Sequence, residues 1–107
     1  MNRIQMRRAL AKAIRKGMAE HPDIKPGKGA YLIALDGDVI FRDQIKREPE
    51  HISDVGYACA LGFAWLGGWD LDHPKRSQIR NDLEADVVIM NDAEYNTIED
   101  VLRVLEA

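Results

Sequence analysis

Apolar and polar residues near the start of the chain follow the period of an amphipathic helix. Within residues 3–20, apolar or small residues recur every three or four positions, namely Met6, Leu10, Ala13, Ile14, Gly17 and Met18. Basic residues occupy the opposite face. This pattern predicts a helix over residues 3–20 with one face in the core. His21-Pro22 ends it, because proline disfavours a helical conformation in the preceding residue.

The pattern changes in residues 31–42, where two β-favouring runs flank Asp36-Gly37. Aspartate followed by glycine between such runs is typical of a tight β-hairpin turn. Because an isolated two-stranded hairpin is marginally stable in water, we expect it to lie against the helices. The alternative is an extended loop that places four apolar side chains in the core, those of Leu32, Leu35, Ile40 and Phe41.

Residues 56–69 lie within the longest segment without a charge. Ser53 or Asp54 is the expected N-cap of a helix that ends near Leu66, before Gly67-Gly68. Apolar side chains cover most of its circumference, and a helix that is apolar on all sides is a buried one. We therefore expect this segment to be the central helix of the fold.

A third helix is expected to carry Pro74 in its first turn, with Asp72 or His73 as its cap. It should end at Asn91-Asp92. Its expected buried positions are Ile79, Leu83, Val87 and Met90.

The last helix has a reciprocal capping pattern at its start. Either Asn96 or Thr97 caps it, and Glu99 or Asp100 stands at the third helical position. Its buried face is expected to contain Ile98, Val101, Leu102 and Leu105. Residues 1–107 are thus predicted to form a single, mainly α domain. It has about four helices around a central apolar helix and a small β-hairpin, which makes it an α+β fold.

The composition narrows the cellular setting. At 107 residues the chain is long enough for one core. Cys59 is the only cysteine, which excludes an intramolecular disulfide and favours the cytoplasm. The longest apolar run is too short to cross a bilayer. No cofactor or membrane association is predicted, and a small-molecule substrate is not expected.

Charge is distributed unevenly along the chain. Residues 1–20 carry a net charge of +5, and residues 81–107 carry a net charge of −7. The two terminal helices are therefore expected to pack with their basic and acidic faces together. The surplus acids at the C-terminal end should face a basic protein or nucleoprotein partner. The predicted partner-binding residues are Asp92, Glu94, Glu99 and Trp69, the last as an exposed aromatic anchor.

Two alternative functions remain open. Arg8, Lys12 and Arg15 on the first helix could form a weak, salt-sensitive nucleic-acid surface. Cys59 could be the nucleophile of a cysteine-dependent enzyme. A histidine (His21, His51 or His73) would then supply the base, and Asn91 or Asp92 would orient it. A buried structural thiol is the expectation, with Gly56 rather than Cys59 near the first turn of the helix, and no catalytic residue is assigned.

No metal site is predicted. The segment Asp36-Gly37-Asp38 lacks the glycine and the glutamate that a calcium loop requires later in its sequence. Asp70, Asp72 and His73 supply three ligands in four residues, and a structural zinc site needs four.

Two short motifs resemble a family of small uncharacterised bacterial and phage proteins. One is Cys59-Ala-Leu-Gly62, and the other is Asn91-Asp92 followed by Thr97-x-x-Asp100-Val-Leu102. The resemblance covers the C-terminal half and departs at Met90, where the family has tryptophan. It implies a small helical protein of phage type. We therefore expect a cytoplasmic protein that binds a macromolecular partner through a charged surface, for example a phage-encoded inhibitor of a host defence complex.

Overall fold

The computed structural model describes residues 2–72, 77–94 and 96–107. The helices are α1 (Arg3–Glu20), α2 (Arg42–Arg47), a 3₁₀ helix (Pro49–Asp54), α3 (Ala60–Leu66), α4 (Gln78–Asp92) and α5 (Ile98–Glu106). The strands are β1 (Lys25–Pro26), β2 (Leu32–Ala34) and β3 (Val55–Ala58). The predicted class, a mainly α fold with a small β component, is confirmed.

Helix α1 has the predicted boundaries and packs against α3 with almost no space between the backbones. Its first turn is closed by a capping box between Asn2 and Gln5. A Cβ atom added to Gly17 would lie 1.9 Å from the carbonyl oxygen of Phe63, and one added to Gly67 would lie 1.9 Å from that of Ala13. The two glycines therefore permit the close crossing of these helices.

The three strands form a mixed sheet with β3 in the centre. Strand β3 is parallel to β1 and antiparallel to β2. The prediction that a helix starts at Ser53 or Asp54 is wrong, because these residues end the 3₁₀ helix and Val55–Ala58 is a strand. Hydrogen bonding to two partner strands outweighs the helical appearance of this apolar segment.

Helix α3 is consequently short, with seven residues, and it is buried as predicted except at Trp65 and Leu66, which are partly buried. Ala60, Leu61, Gly62, Phe63 and Ala64 are all enclosed by the rest of the fold.

The predicted hairpin turn is present. The N–H of Gly37 donates to the carbonyl oxygen of Ala34 at 3.0 Å, and Gly37 has a φ of +95°. Ile33 and Val39 form an antiparallel bridge across the turn, so the second arm is shorter than expected. The alternative, an extended loop that places Leu35 in the core, is wrong, because the Leu35 side chain is 77% exposed.

Helix α4 starts later than predicted. Ser77 is its N-cap, whereas Asp72 lies in a preceding turn and His73 and Pro74 fall outside the described residues. Ile79 is exposed rather than part of the buried face. The described face toward the core contains Leu83, Glu84, Val87 and Asn91.

Helix α5 confirms the prediction for the C-terminal end and contacts α1. Thr97 is its N-cap, and Asp100 completes the capping box. Arg15 of α1 donates to both carboxylate oxygens of Glu106, at 2.7 and 2.6 Å, and lies 3.6 Å from Glu99. The hydrogen bonds from Arg15 lower the pKa of Glu106. The expected pairing of basic and acidic faces is thus present.

Candidate functional site

A groove of about 480 Å³ lies between the hairpin and α4. Its apolar wall is formed by Tyr31, Val39, Ile40, Phe41, Leu61, Val87 and Val88. Its polar rim and floor contain Arg42, Asp43, Cys59, Asp72, Asn91 and Asp92. We call this feature the groove. Concave, mostly apolar sites with a few polar groups are typical of binding sites.

The hairpin supplies large apolar side chains that remain in contact with water. Phe41 is 68% exposed and Val39 is 52% exposed. Val39, Ile40 and Phe41 are consecutive, and neighbouring side chains of an extended segment point to opposite faces. Only one of those faces can lie on the core, so the sequence already contained the signal for an exposed apolar surface. Clustered exposure of this kind marks an interaction site.

One end of the groove is held by an ion-pair network. Arg42 and Lys46 of α2 donate to the two carboxylate oxygens of Asp72, at 2.7 and 2.8 Å. The hydrogen bond from Lys46, followed by that from Arg42, lowers the pKa of Asp72 to about 2. The Arg42 guanidinium also lies 5.0 Å from the centre of the Tyr31 ring. Both cations near Asp72 are therefore already paired.

The opposite end is held by Asn91, which is 4% exposed. Its Oδ1 accepts from the N–H of Ala60 at 3.0 Å, and its Nδ2 donates to the carbonyl oxygen of Gly27 at 3.2 Å. Next to it, Asp92 Oδ1 accepts from the N–H of Gly29 at 3.2 Å. Asn91 therefore joins α4, α3 and the loop before β2. It supports the groove wall. This role differs from the one considered from the sequence, in which Asn91 would orient a catalytic histidine.

Lys28 reinforces this connection. Its ammonium group donates to the carbonyl oxygens of Asn91, Ala93 and Asn96, at 2.7, 2.5 and 2.9 Å. A cation at the C-terminal end of a helix satisfies carbonyl groups that have no helical partner. The loop around Lys28 is thereby fixed to the turn between α4 and α5. Nothing in the local sequence pattern indicated this contact.

Cys59 lies at the floor of the groove and is the N-cap of α3. The position expected from the sequence, inside the helix and beyond the first turn, is wrong. Its Sγ accepts from the N–H of Gly62 at 3.5 Å, and the residue is 5% exposed. Burial raises the pKa of the thiol. His51, one of the candidate bases, is not hydrogen-bonded to Cys59. It bonds Glu48, the N-cap of the 3₁₀ helix, and Asp54, the last residue of that helix.

No histidine among the described residues lines the groove, and His73 lies outside them. The cysteine-enzyme hypothesis thus receives no support from the site.

The predicted partner-binding residues do not form one cluster. Asp92 lies on the groove rim, and Glu94 follows it as an exposed residue. Glu99 is exposed on α5, near Arg15.

The prediction of Trp69 as an exposed anchor is wrong, because this side chain is 9% exposed. Its Nε1 donates to Glu84 Oε2 at 2.8 Å, and the Arg80 guanidinium covers the ring at 4.1 Å from its centre. An indole that finds a hydrogen-bond acceptor can be buried.

The basic residues of α1 lie apart from the groove lining. Arg15 is engaged with Glu106, so it is not free for a phosphate. Arg8 and Lys12 are exposed, and within the described ranges neither forms an ion pair. Two free cations on one helix give weaker support for nucleic-acid binding than the three that the sequence indicated.

The described residues contain neither a metal-ligand cluster nor a membrane-spanning helix. No group of three or more histidine, cysteine, aspartate or glutamate side chains there is placed to hold a metal ion. No helix in the same residues combines the length and apolar character needed to cross a bilayer.

Comparison with family models, curated proteins and solved structures found no match for this chain.

Proposed function

We propose that this protein binds a partner protein with a basic, partly apolar surface, and that the groove is the contact site. The supporting observation is the groove itself: Phe41 and Val39 are largely exposed beside a concavity of about 480 Å³. When a partner covers water-exposed apolar area in a concave surface, the removal of that area from water lowers the free energy and favours binding.

The charges around the groove favour a basic partner. Asp43, Asp72 and Asp92 contribute carboxylates to the lining, and Arg42 is its only cation among the described residues. Arg42 and Lys46 both bond Asp72. Asp43 and Asp92 are therefore the lining carboxylates without a cationic partner among the described residues. Glu94 extends the acidic rim along the chain. The negative electrostatic potential of these carboxylates increases the association rate of a cationic partner and disfavours nucleic acid at this surface.

The biological setting is part of the same proposal. A small cytoplasmic protein that acts by occupying the basic surface of a larger complex would need only such a groove. A phage-type inhibitor of a host defence complex is one example, in line with the resemblance carried by the C-terminal motifs.

Selection of peptides from a random library displayed on phage would test the groove. We expect the wild-type protein to enrich sequences that combine apolar residues with lysine or arginine. Phe41→Asp should abolish this enrichment. Ile89→Asp is the matched control, because Ile89 is 70% exposed on α4 but does not line the groove. Equal enrichment by wild type and Phe41→Asp would overturn the proposal.

The acidic rim can be tested with a selected peptide. Neutralisation of Asp92 and Glu94 to the corresponding amides should slow association at low salt, with a smaller effect on dissociation. An asparagine at 92 keeps an oxygen that can accept from the Gly29 N–H. Neutralisation of Arg8, Lys12 and Arg15 to glutamine is the control. Loss of binding only in the latter variant would instead place the partner on α1.

A further inference from the structure

The hairpin exposes a short free edge of the sheet at Val39. Val39 is bridged to Ile33, but the hydrogen bonds of that bridge are formed by its neighbours. The N–H of Ala34 donates to the carbonyl oxygen of Asp38 at 2.8 Å, and the N–H of Ile40 donates to that of Leu32 at 3.0 Å. In such an antiparallel pair, the N–H and C=O of the central residue point away from the partner strand.

The main-chain groups of Val39 are thus directed outward. No hydrogen bond links its N–H or C=O to any part of the chain that the structure describes. At the next outward-facing residue, the N–H of Phe41 donates to Gln44 Oε1 at 2.8 Å, and its C=O accepts from the N–H of Gln44 at 3.0 Å. The free edge is therefore one residue long, enough for one pair of main-chain hydrogen bonds.

Two concavities with different chemistry meet at this edge. The groove and a second concavity of about 540 Å³ share Val39 and Ile40 in their walls. The groove is mostly apolar, whereas the lining of the second concavity includes the carboxylates of Asp36, Asp38 and Asp54, the last of which is bonded to His51. Successive side chains of a strand beside Val39 would point alternately to opposite faces.

We infer that the partner binds as an extended segment that adds a strand at Val39, with apolar and basic side chains in alternation. The apolar side chains enter the groove, and the basic ones face the carboxylates of the second concavity. Main-chain hydrogen bonds to an exposed edge set the direction of such a segment, and the side-chain sites select it. This inference rests on the proposed function and specifies its partner.

Titration of the ¹⁵N-labelled full chain with two synthetic peptides, followed by NMR, tests the inference. The first peptide has about seven residues of alternating valine and lysine, a length that covers a short strand. The second has the same composition, with valines at the three- and four-residue spacing of an amphipathic helix. We expect the alternating peptide to shift the amide signal of Val39 and to slow its hydrogen exchange.

N-methylation of the alternating peptide tests the main-chain contact without altering the protein. In a strand, alternate amides point to the same edge, so one methylated set removes the donor to Val39 and the other set does not. We expect one set to weaken binding about tenfold and the other to have little effect. Equal effects of both sets would overturn strand addition.

Substitutions in the protein provide a second measurement. Val39→Pro removes the outward N–H without removing a hydrogen bond of the fold, and proline is tolerated at an edge. It should weaken the alternating peptide about tenfold, whereas Val39→Thr should retain binding. Asp36→Asn combined with Asp38→Asn should also weaken binding and reduce its salt dependence.

The outcomes separate the inference from the proposed function. If only the helical peptide binds in the groove, or if Val39→Pro remains folded and binds normally, strand addition is wrong and a protein-binding groove stands. If neither synthetic peptide nor any library-selected peptide perturbs groove signals, both are wrong.

Discussion

The two halves of this small protein have opposite surface properties. Where α1, α3 and α5 meet, Leu10, Phe63 and Leu102 are at most 1% exposed, and the helix backbones of α1 and α3 are nearly in contact. In the hairpin, Leu35 and Phe41 are more than two-thirds exposed. The junction of these helices forms a large part of the buried core, to which β2 also contributes, and the hairpin presents a cluster of apolar residues to water. This difference indicates a stable scaffold with a binding surface attached to it.

The two halves also differ at particular charged residues, although each contains both paired and unpaired charges. In the helical half, Arg15 is neutralised by Glu106, and Arg7 donates to the carbonyl oxygen of Val104 at 2.5 Å. Around the hairpin, Asp36 and Asp38 have no cationic partner among the described residues. Paired charges contribute a little to folding, whereas unpaired ones are available for a partner.

The largest contrast is expected between Leu102→Ala and Phe41→Ala. Leu102 is fully buried, so its truncation should lower the free energy of unfolding by about 2–5 kcal/mol. Phe41 is largely exposed, so its truncation should change that free energy by about 0.5 kcal/mol or less. Urea unfolding of both variants measures the difference. Similar costs would show that the hairpin belongs to the stabilising interior.

Gly17→Ala tests the contact between α1 and α3. The new methyl group would meet the backbone of Phe63, so we expect a loss of about 3 kcal/mol, even though alanine is the better helix former. Ala19→Gly, at an exposed position of α1, is the control for helix propensity and should cost about 1 kcal/mol or less. A more stable Gly17→Ala variant would mean that the helices are further apart than described.

Asn91→Ala tests the connection between the halves. It leaves the buried N–H of Ala60 and the C=O of Gly27 without their side-chain partner, which should cost about 1–3 kcal/mol. We also expect faster hydrogen exchange at the Ala60 amide. Asp86→Ala, at an exposed position on the same helix, is the control and should have little effect. Unchanged exchange at Ala60 would contradict this role.

The smallest effect is expected from Asp72→Asn. The pKa of Asp72 is lowered to about 2 in the folded protein from an ordinary 3.8, because Lys46 and Arg42 bond the carboxylate. The stabilisation is therefore present above the unfolded pKa and disappears as the pH falls toward 2. Because Asp72 is partly exposed, the effect should stay below about 1 kcal/mol.

Thermal unfolding of wild type and Asp72→Asn across this pH range measures the difference, which should shrink toward pH 2. A difference that is constant with pH would show that the ion pairs do not stabilise the folded state.

Local sequence patterns were sufficient where an element depends on its own residues. The periodicity of α1 and its end before Pro22 depend only on residues of that segment. The capping box of Thr97 and Asp100 likewise joins residues three positions apart. The turn at Asp36-Gly37 is local for the same reason, because glycine adopts the positive φ that the turn requires. The contact between α1 and α5 was predictable from charge alone.

The candidate site was predictable only in part. Asp92 was identified from the surplus of acids, and it lies on the rim of the groove. Phe41 and Val39 were assigned to the hairpin, but their exposure depends on which face of the hairpin the helices cover. Trp69 is the opposite case, a side chain predicted to be exposed that is buried. Its contacts are with Glu84 and Arg80 of α4, which local sequence does not reveal.

The sequence by itself determined which segments are amphipathic, where α1 ends, where α5 is capped and that the two ends attract each other. Those properties arise from residues within a few positions of one another or from the sum of charges. Only the tertiary structure decided that Val55–Ala58 is a strand and that Cys59, rather than Ser53, caps the following helix. The physical reason is that a strand is stabilised by hydrogen bonds to partner strands, here β1 and β2, whose paired residues lie 21 to 32 positions away in the chain.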